Sequence, residues 1–179
     1  MLLEIVTRHL VTRPTLLERN QESLARLAGD WVQTLLIDDV GRGVAWANAR
    51  MGDFTPVGDY VWVLDDDDEC TLPTLVQGLA AIVADDAPDG VMVRMDHGPG
   101  LGILPSNQGW GGVLWQGGVG CSALISSRAL WMACRSAWGS HYAGDFDYVQ
   151  AAQGSGANIY WWDVVASRVS RRMVGAGEE

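Results

Sequence analysis

The sequence has little positive charge and no long apolar run. Its 179 residues include 12 lysines and arginines against 22 aspartates and glutamates, which gives a net charge of −10. Such an acidic chain is a poor partner for a nucleic-acid backbone or an anionic membrane surface. No stretch reaches the roughly 18 apolar residues that span a bilayer, and Glu4 and Arg8 interrupt any signal-peptide core. We therefore expect a cytoplasmic protein with no nucleic-acid partner and no membrane span.

Cysteine is scarce as well. Cys70, Cys121 and Cys134 show no C-x-x-C spacing, and an odd number of cysteines cannot all pair within one chain. We expect reduced thiols.

Two common nucleotide-binding motifs are missing. A dinucleotide-binding fold would carry G-x-G-x-x-G directly after the first strand, but residues 8–14 read R-H-L-V-T-R-P. The phosphate-binding pattern G-x-x-x-x-G-K-[ST] is absent too. These absences exclude a Rossmann dehydrogenase and a P-loop NTPase.

The hydrophobic pattern alternates between the strand and helix periods. It predicts strands at 2–7, 31–37, 60–64, 90–95 and 158–165, and helices at 14–28, 44–51, 72–84, 127–138 and 145–153. This alternation, in a chain that is 48% hydrophobic, predicts one domain. The expected fold is an α/β three-layer α/β/α sandwich with a mostly parallel central sheet. The glycine-rich segment 97–120 is expected to be irregular.

Carboxylates follow two of the predicted strands. Asp65–Asp68 come directly after the strand at 60–64, and Asp38 and Asp39 follow the strand at 31–37. The carboxyl ends of parallel strands meet at one edge of a sheet, so we expect these side chains to lie close together. A divalent cation would turn their mutual repulsion into coordination. The pattern predicts a metal site, with a solvated acidic loop as the alternative.

Four short motifs resemble those of the family 2 glycosyltransferases, which have the GT-A fold. They are T-R-P at 12–14, L-I-D-D at 36–39, G-D-Y at 58–60 leading into L-D-D-D-D at 64–68, and G-D-F-D at 144–147. Their order and spacing match the family together. The resemblance implies a donor-binding half at 1–96, an acceptor and catalytic half at 97–173, and a tail at 174–179.

The resemblance places the nucleotide of the donor beside two turns. Arg13 would lie by the nucleotide, with Thr12 lining the same turn. Asp39, together with Asp38, would contact the base or the ribose. The alternatives are a surface arginine at a helix start and an aspartate pair that caps a turn.

The resemblance also implies a D-x-D metal motif. Asp67 would bind Mn²⁺ or Mg²⁺ directly, and Asp65 would bind the metal, a metal-bound water or the ribose. Alternation in an extended strand would put the two on one side, about 6.5 to 7 Å apart. Further donor contacts are expected from Asp66, Gly118 and Cys121. For the segment 117–122, which contains the last two, a plain glycine-rich turn is the alternative.

The family often has Glu-Asp where this chain has Gly144-Asp145, and its aspartate removes a proton from the acceptor. A second acid follows at Asp147. Helix residues two apart point in nearly opposite directions, so only one of the two acids can face the sugar. The alignment favours Asp145, and the alternative is that both acids complement the helix N-terminus.

The resemblance implies an inverting, metal-dependent hexosyltransferase that uses a nucleotide diphosphate sugar, with a UDP-sugar favoured. The acceptor would be a glycan, a lipid-linked or a small molecule, and a homo-oligomer is among the assemblies left open. The loop at 97–120 would close over the donor and exclude water. Two alternatives are a sugar-phosphate nucleotidyltransferase, which usually has a glycine-rich basic loop after its first strand, and a non-catalytic nucleotide-sugar or metal-binding module.

Overall fold

Strands and helices alternate through the first half of the chain, as the hydrophobic pattern predicts. The computed structural model describes residues 1–169, so the predicted tail at 174–179 lies outside the described residues. The strands are β1 Leu3–Leu10, β2 Trp31–Asp38, β3 Tyr60–Val63, β4 Asp68–Cys70, β5 Gly90–Asp96, β6 Ile103–Leu104, β7 Leu124–Ser127 and β8 Ile159–Val169. The helices are α1 Pro14–Leu24, α2 Val44–Asp53, α3 Leu75–Asp86, α4 Arg128–Cys134 and α5 Gly144–Gly154.

The strands form one mixed sheet in the order β2-β1-β3-β7-β5-β8-β4, with β6 paired to β5. β1 is parallel to both β2 and β3, and β5 is parallel to β8. β7 is antiparallel to both β3 and β5. The carboxyl ends of β1, β2, β3 and β5 therefore lie at one edge of the sheet. The predicted α/β fold is confirmed.

The core lies on both faces of this sheet because the central strands alternate. Trp62 and Leu64 pack with the buried residues of α1 and α3, whereas Val61 and Val63 pack with those of α2, α4 and α5. Each of these four side chains is almost completely buried. Burial of a side chain of this kind stabilises the fold by roughly 1.5–3 kcal/mol. The helices on the two faces complete the three predicted layers.

Several predicted bounds are wrong. α1 ends at Leu24 instead of 28, and the helix predicted at 127–138 ends at Cys134 and continues as a 3₁₀ turn over Arg135–Trp138. β4, β6 and β7 were not predicted, because runs of two to four residues have no measurable period. Among residues 1–169, no helix is long and apolar enough to cross a membrane. All three cysteines are free thiols.

Candidate functional site

The four consecutive aspartates form a tight turn, which corrects the extended strand predicted from the sequence. β3 ends at Val63, and the backbone N–H of Asp68 donates to the carbonyl oxygen of Asp65 at 3.0 Å. Aspartate favours turns and is depleted in strands, so the chain reverses here into β4. The spacing expected from strand alternation therefore does not apply to Asp65 and Asp67, and each carboxylate has its own partners.

Asp65 is bound by an arginine from the end of β1. Arg8 Nε donates to Asp65 Oδ1 at 2.6 Å, and Arg8 Nη2 donates to Asp65 Oδ2. This bidentate arrangement is the strongest form of an arginine–carboxylate pair. The guanidinium also lies 5.4 Å from the ring centroid of Trp138, and its Nη1 donates to Asn48 Oδ1. Arg8 uses only one lone pair on each oxygen of Asp65, so a metal contact by Asp65 depends on a lone pair that Arg8 leaves free, and that contact stays a prediction.

Asp66 orders the turn between β1 and α1. Its side chain has no exposed surface. Its Oδ2 accepts from the backbone N–H of Leu10 at 3.1 Å and lies 2.9 Å from His9 Nδ1, while its Oδ1 lies 3.0 Å from Arg13 Nη2. Asp66 therefore holds Arg13 at the sheet edge. A direct contact between Asp66 and the donor, as predicted, requires this turn to open.

Asp67 makes a longer ion pair than Asp65 or Asp66 does. Its Oδ2 lies 3.6 Å from Arg13 Nη1, and its side chain is 21% exposed. Burial, followed by the charges of Asp65 and Asp66, raises the pKa of Asp67 to about 6, although Arg13 opposes the shift. Burial and the same crowding by Asp65 and Asp67 raise the pKa of Asp68 well above its ordinary value. The turn thus concentrates more negative charge than its arginines neutralise.

A metal ion fits this turn only with help from a ligand. Residues 1–169 contain no group of three His, Cys, Asp or Glu side chains placed to hold a metal ion. Mg²⁺, however, is usually bound through one or two carboxylates together with substrate phosphates. The partly exposed oxygens of Asp67 suit that role, so metal binding stays a prediction that depends on a phosphate ligand.

Asp38 and Asp39, which were both predicted to contact the base or the ribose, have different surroundings in the loop after β2. Asp38 accepts from the backbone N–H groups of Gly43 at 3.0 Å and Val40 at 3.3 Å, so it orders its own loop. Burial opposes the shift, but the loop amides together lower the pKa of Asp38 below its ordinary value. The side chain of Asp39 is 65% exposed and lies 2.8 Å from Arg42. Asp39 is therefore the member of the pair that a ligand reaches.

The turn at Thr12 lies beside this loop. The backbone N–H of Val11 donates to the carbonyl oxygen of Asp38 at 3.2 Å, and Thr12 itself is exposed. The structure thus brings together the two turns that were predicted to contact the nucleotide.

Of Gly118 and Cys121, which were both predicted to contact the donor, only Cys121 lies against the acidic turn. A Cβ at Gly118 would lie 2.7 Å from the indole of Trp115, so this glycine makes room for the tryptophan. Cys121 does reach the site, with its Sγ 3.6 Å from Asp65 Oδ2 and 3.7 Å from Arg8 Nη2. Burial, together with the charge of Asp65, raises the pKa of this thiol well above its ordinary value. The sulfur is therefore a neutral neighbour of the arginine–carboxylate pair.

The two acids of α5 have different surroundings. Asp145 is partly buried, and its Oδ1 accepts from the backbone N–H of Phe146 at 2.8 Å. Burial is the main cause that raises its pKa; Arg8 opposes the shift and Asp65 raises the pKa further. Asp147 instead lies at the surface, 2.7 Å from His141 Nε2. The structure thus brings Asp145, and not Asp147, to the acidic turn.

The glycine-rich loop is irregular, as predicted, but it is anchored. Arg94 of β5 is 7% exposed, and its Nη1 donates to the carbonyl oxygen of Pro105 at 2.7 Å. Its guanidinium carbon lies 4.0 Å from the ring centroid of Trp110, which in turn packs at 5.1 Å on Trp161. The loop is therefore fixed near its middle, and closure over a donor stays a prediction.

Arg8 and Asn48 are site residues that the sequence alone did not predict. Arg8 contacts Asp65, which is 57 residues away, and Asn48, which is 40 residues away. Contacts over such separations have no local signature in one sequence. The available signal was an arginine at the end of β1, next to the predicted acidic edge.

No family model matches the sequence, and no curated protein matches it. The S. aureus TarS fragment 1–349 in complex with UDP-GlcNAc matches with a TM-score of 0.67 and 12% identity, over 96% of this chain and 59% of that one. CMP:2-keto-3-deoxy-manno-octonic acid synthetase, complexed with CTP, matches with a TM-score of 0.55 and 11% identity, over 93% of this chain and 91% of that one. The glycosyltransferase GlyE of Streptococcus pneumoniae matches with a TM-score of 0.51 and 14% identity, over 87% of this chain and 44% of that one.

The chain thus spans less than two thirds of the TarS fragment but most of the synthetase. At these identities the likeness is one of fold. The chain has a GT-A-like fold, the fold of the nucleotide-diphospho-sugar transferases.

Proposed function

We propose that the protein is a glycosyltransferase that moves a sugar from a nucleotide diphosphate to an acceptor hydroxyl. The observation that carries this proposal is the meeting of Arg8, Arg13 and the acidic turn 65–68 at the strand ends, where the charges of Arg8 and Asp65 also act on Asp145 of α5. One protein with this fold was crystallised with UDP-GlcNAc, which favours a UDP-sugar as the donor.

Arg13 is suited to bind the diphosphate of the donor. Its side chain is 29% exposed, and its contacts to Asp66 and Asp67 hold it beside the exposed Thr12. Within residues 1–169, the buried Nε of Arg13 has no hydrogen-bond partner. An arginine presents a planar fork of N–H donors that matches phosphate oxygens. The exposed part of the Arg13 side chain therefore supports a phosphate contact at this turn.

We further propose that Asp67 holds Mn²⁺ or Mg²⁺ together with the donor phosphates. Such an ion, when bound, supplies positive charge that stabilises the departing diphosphate. Asp67 suits this role because its carboxylate is crowded, partly exposed and only loosely paired with Arg13. Asp65 joins it through a lone pair that its two hydrogen bonds to Arg8 leave free.

In the proposed reaction, an acceptor hydroxyl oxygen attacks the anomeric carbon of the donor sugar. The bond between that carbon and the phosphate oxygen breaks, and the nucleoside diphosphate leaves with the electron pair. Asp145 takes the hydroxyl proton. Because its pKa is raised toward neutral pH, the Asp145 carboxylate is a stronger base than an ordinary carboxylate. Attack from the side opposite the leaving group inverts the anomeric centre.

The acceptor is proposed to be a glycan, a lipid-linked or a small molecule. An open cavity of about 420 Å³ lies between Gly112–Leu114 of the glycine-rich loop and the second half of α5. Because α5 lines this cavity and also carries Asp145, we propose that the acceptor contacts this cavity. Light scattering in solution would show whether a homo-oligomer completes the site.

A nucleotidyltransferase is the second candidate. The observation that favours it is the match to the CMP:2-keto-3-deoxy-manno-octonic acid synthetase over 91% of that chain, against 59% of the TarS fragment. Against it stands the turn at 8–14, which has none of the glycines expected there. The products separate the two candidates, because a nucleotidyltransferase releases pyrophosphate from a nucleoside triphosphate.

A thermal-shift panel tests the donor site. UDP, GDP, ADP, CDP and TDP are each added with and without Mn²⁺ to the wild type, to Asp67→Asn and to a control, Asp85→Asn, which changes an exposed aspartate on α3. A ligand at 100 times its dissociation constant adds about 2.7 kcal/mol of stability. We expect one nucleotide, UDP, to stabilise the wild type and the control only with Mn²⁺, and to lose that effect in Asp67→Asn. A wild type that no nucleotide stabilises contradicts the proposal.

A further inference from the structure

A buried amide in α2 connects the two sides of the candidate site. Asn48 is 1% exposed. Its Oδ1 accepts from Arg8 Nη1, and its Nδ2 donates to the carbonyl oxygen of His141 at 2.6 Å. Arg8 in turn holds Asp65, and His141 lies in the segment 139–143 that leads into α5. Asn48 therefore links Asp65, through Arg8, to the segment that leads into α5.

The start of α5 packs so closely on this amide that a glycine is needed there. A Cβ at Gly144 would lie 2.9 Å from Asn48 Nδ2 and 2.0 Å from the carbonyl oxygen of Trp138. Asp145 is the next residue along the helix. The position of the Asp145 carboxylate therefore follows the contact between α2 and the start of α5.

Only an amide of this size satisfies both partners. It offers an acceptor oxygen to the arginine and an N–H donor to the carbonyl. A carboxylate would keep the first bond and lose the second, and an alanine would leave a buried donor and a buried acceptor without partners.

We propose that Asn48 is a positioning residue that sets the distance between Asp145 and a donor bound beside Asp65. This role rests on the proposed transfer reaction, in which Asp145 is the base. Asn48 contacts the site through Arg8 and His141. A displacement of about 1 Å between reacting groups can lower the rate about 10²-fold. Asn48 should therefore control kcat much more than the KM of the donor.

Steady-state kinetics test this role. UDP release from UDP-GlcNAc with Mn²⁺, with water as the acceptor of the sugar, is compared in the wild type, Asn48→Ala, Asn48→Asp and a control, Ser23→Ala. The control also removes a buried hydrogen bond, in which Ser23 Oγ accepts from the backbone N–H of Cys70 at 2.9 Å. This bond joins α1 to β4 and does not involve α2 or α5. We expect kcat to fall about 10²-fold in both Asn48 variants. The donor KM should change by less than about threefold, and the control should keep the kcat of the wild type.

Hydrogen exchange gives a second readout that needs no turnover. Asn48→Ala should speed backbone exchange in residues 139–147 relative to Ser23→Ala, because local opening reports the loss of local contacts. The proposal is overturned if the Asn48 variants keep the kcat of the control, or if exchange in 139–147 does not change. A wild type that releases no UDP refutes the proposed function instead. In that case the exchange data alone decide whether Asn48 holds this segment.

Discussion

At the scale of single residues, the candidate site depends on how two arginines divide the acidic turn between them. Arg8 pairs with Asp65, and Arg13 contacts Asp66 and Asp67. The pairing is unequal, since Arg8 is largely buried and bidentate whereas Arg13 lies partly exposed. We infer that Arg8 is needed mainly to hold the turn, and that Arg13 and Asp67 are the groups left for a ligand.

Replacing Arg8 should destabilise the fold. Arg8→Ala leaves the carboxylate of Asp65 without its cation in a low-dielectric site, and breaking such a pair costs about 3–5 kcal/mol. The exposed Arg50 of α2 provides a control, because surface substitutions usually change stability by less than about 0.5 kcal/mol. Urea denaturation measures both variants. Equal stabilities of Arg8→Ala and Arg50→Ala would show that the pair contributes nothing to the fold.

The acidic turn should also make stability depend on pH. The pKa of Asp67 is about 6 in the fold, above the ordinary value of 3.8, so the folded state holds a proton that the unfolded state has lost. Stability therefore falls as pH rises from about 4 to about 6. Asp67→Asn removes this loss. Its advantage over the wild type should be near zero below pH 4 and about 3 kcal/mol at pH 7, in EDTA.

Urea denaturation at several pH values between 3.5 and 7.5 provides the measurement. A variant that is less stable than the wild type at pH 7, or a difference that is independent of pH, contradicts the crowding at this turn.

At the scale of elements, the position of α5 depends on the absence of a side chain at its first residue. A Cβ at Gly144 meets the backbone of Trp138 at 2.0 Å, whereas a Cβ at Gly154, at the other end of α5, meets nothing within 4 Å. Gly144→Ala should therefore cost at least about 1–3 kcal/mol through a forced backbone shift. Gly154→Ala should be neutral or stabilise the protein by up to about 1 kcal/mol. Equal thermal unfolding of the two variants would refute this packing.

The anchor of the glycine-rich loop gives a second prediction at this scale. Arg94 fixes the loop through Pro105 and Trp110. In Arg94→Ala, chymotrypsin should cleave within 97–120 faster than in the wild type, because the loop opens more often. Cleavage at the same rate in the variant and the wild type would mean that other contacts hold the loop.

Most of the elements that the sequence predicted are long enough to show a strand or helix period. β1, β2, β3 and α1 to α3 each show a hydrophobic period that identifies them. The parallel pairing of β1 with β2 and β3 then brings the aspartates that follow β2 and β3 to one edge of the sheet. β4 reads D-E-C, which is a poor strand by composition, and its strand conformation comes from pairing with β8. The bonds of Arg8 and Asn48 depend on which distant segments meet, so one sequence without its fold could not predict them.

At the scale of the whole molecule, the fold supplies one edge of the sheet where the acidic turn 65–68, Arg8 and Arg13 meet, near Asp145. The net charge of −10 makes this edge a poor site for a free anion. A nucleotide diphosphate therefore needs the local charge of Arg8 and Arg13, together with the proposed metal ion at Asp67. This charge balance leads us to expect that donor binding weakens when the metal is removed.

The most direct test of the proposed transfer is the product formed from UDP-GlcNAc by the wild type and by Asp145→Asn, with Mn²⁺ present. Loss of a general base typically lowers the rate about 10²–10⁴-fold. The account predicts that the wild type releases UDP, that Asp145→Asn binds UDP as the wild type does, and that its UDP release falls by that factor. An unchanged rate in Asp145→Asn, or a wild type that releases only pyrophosphate from nucleoside triphosphates, would contradict it.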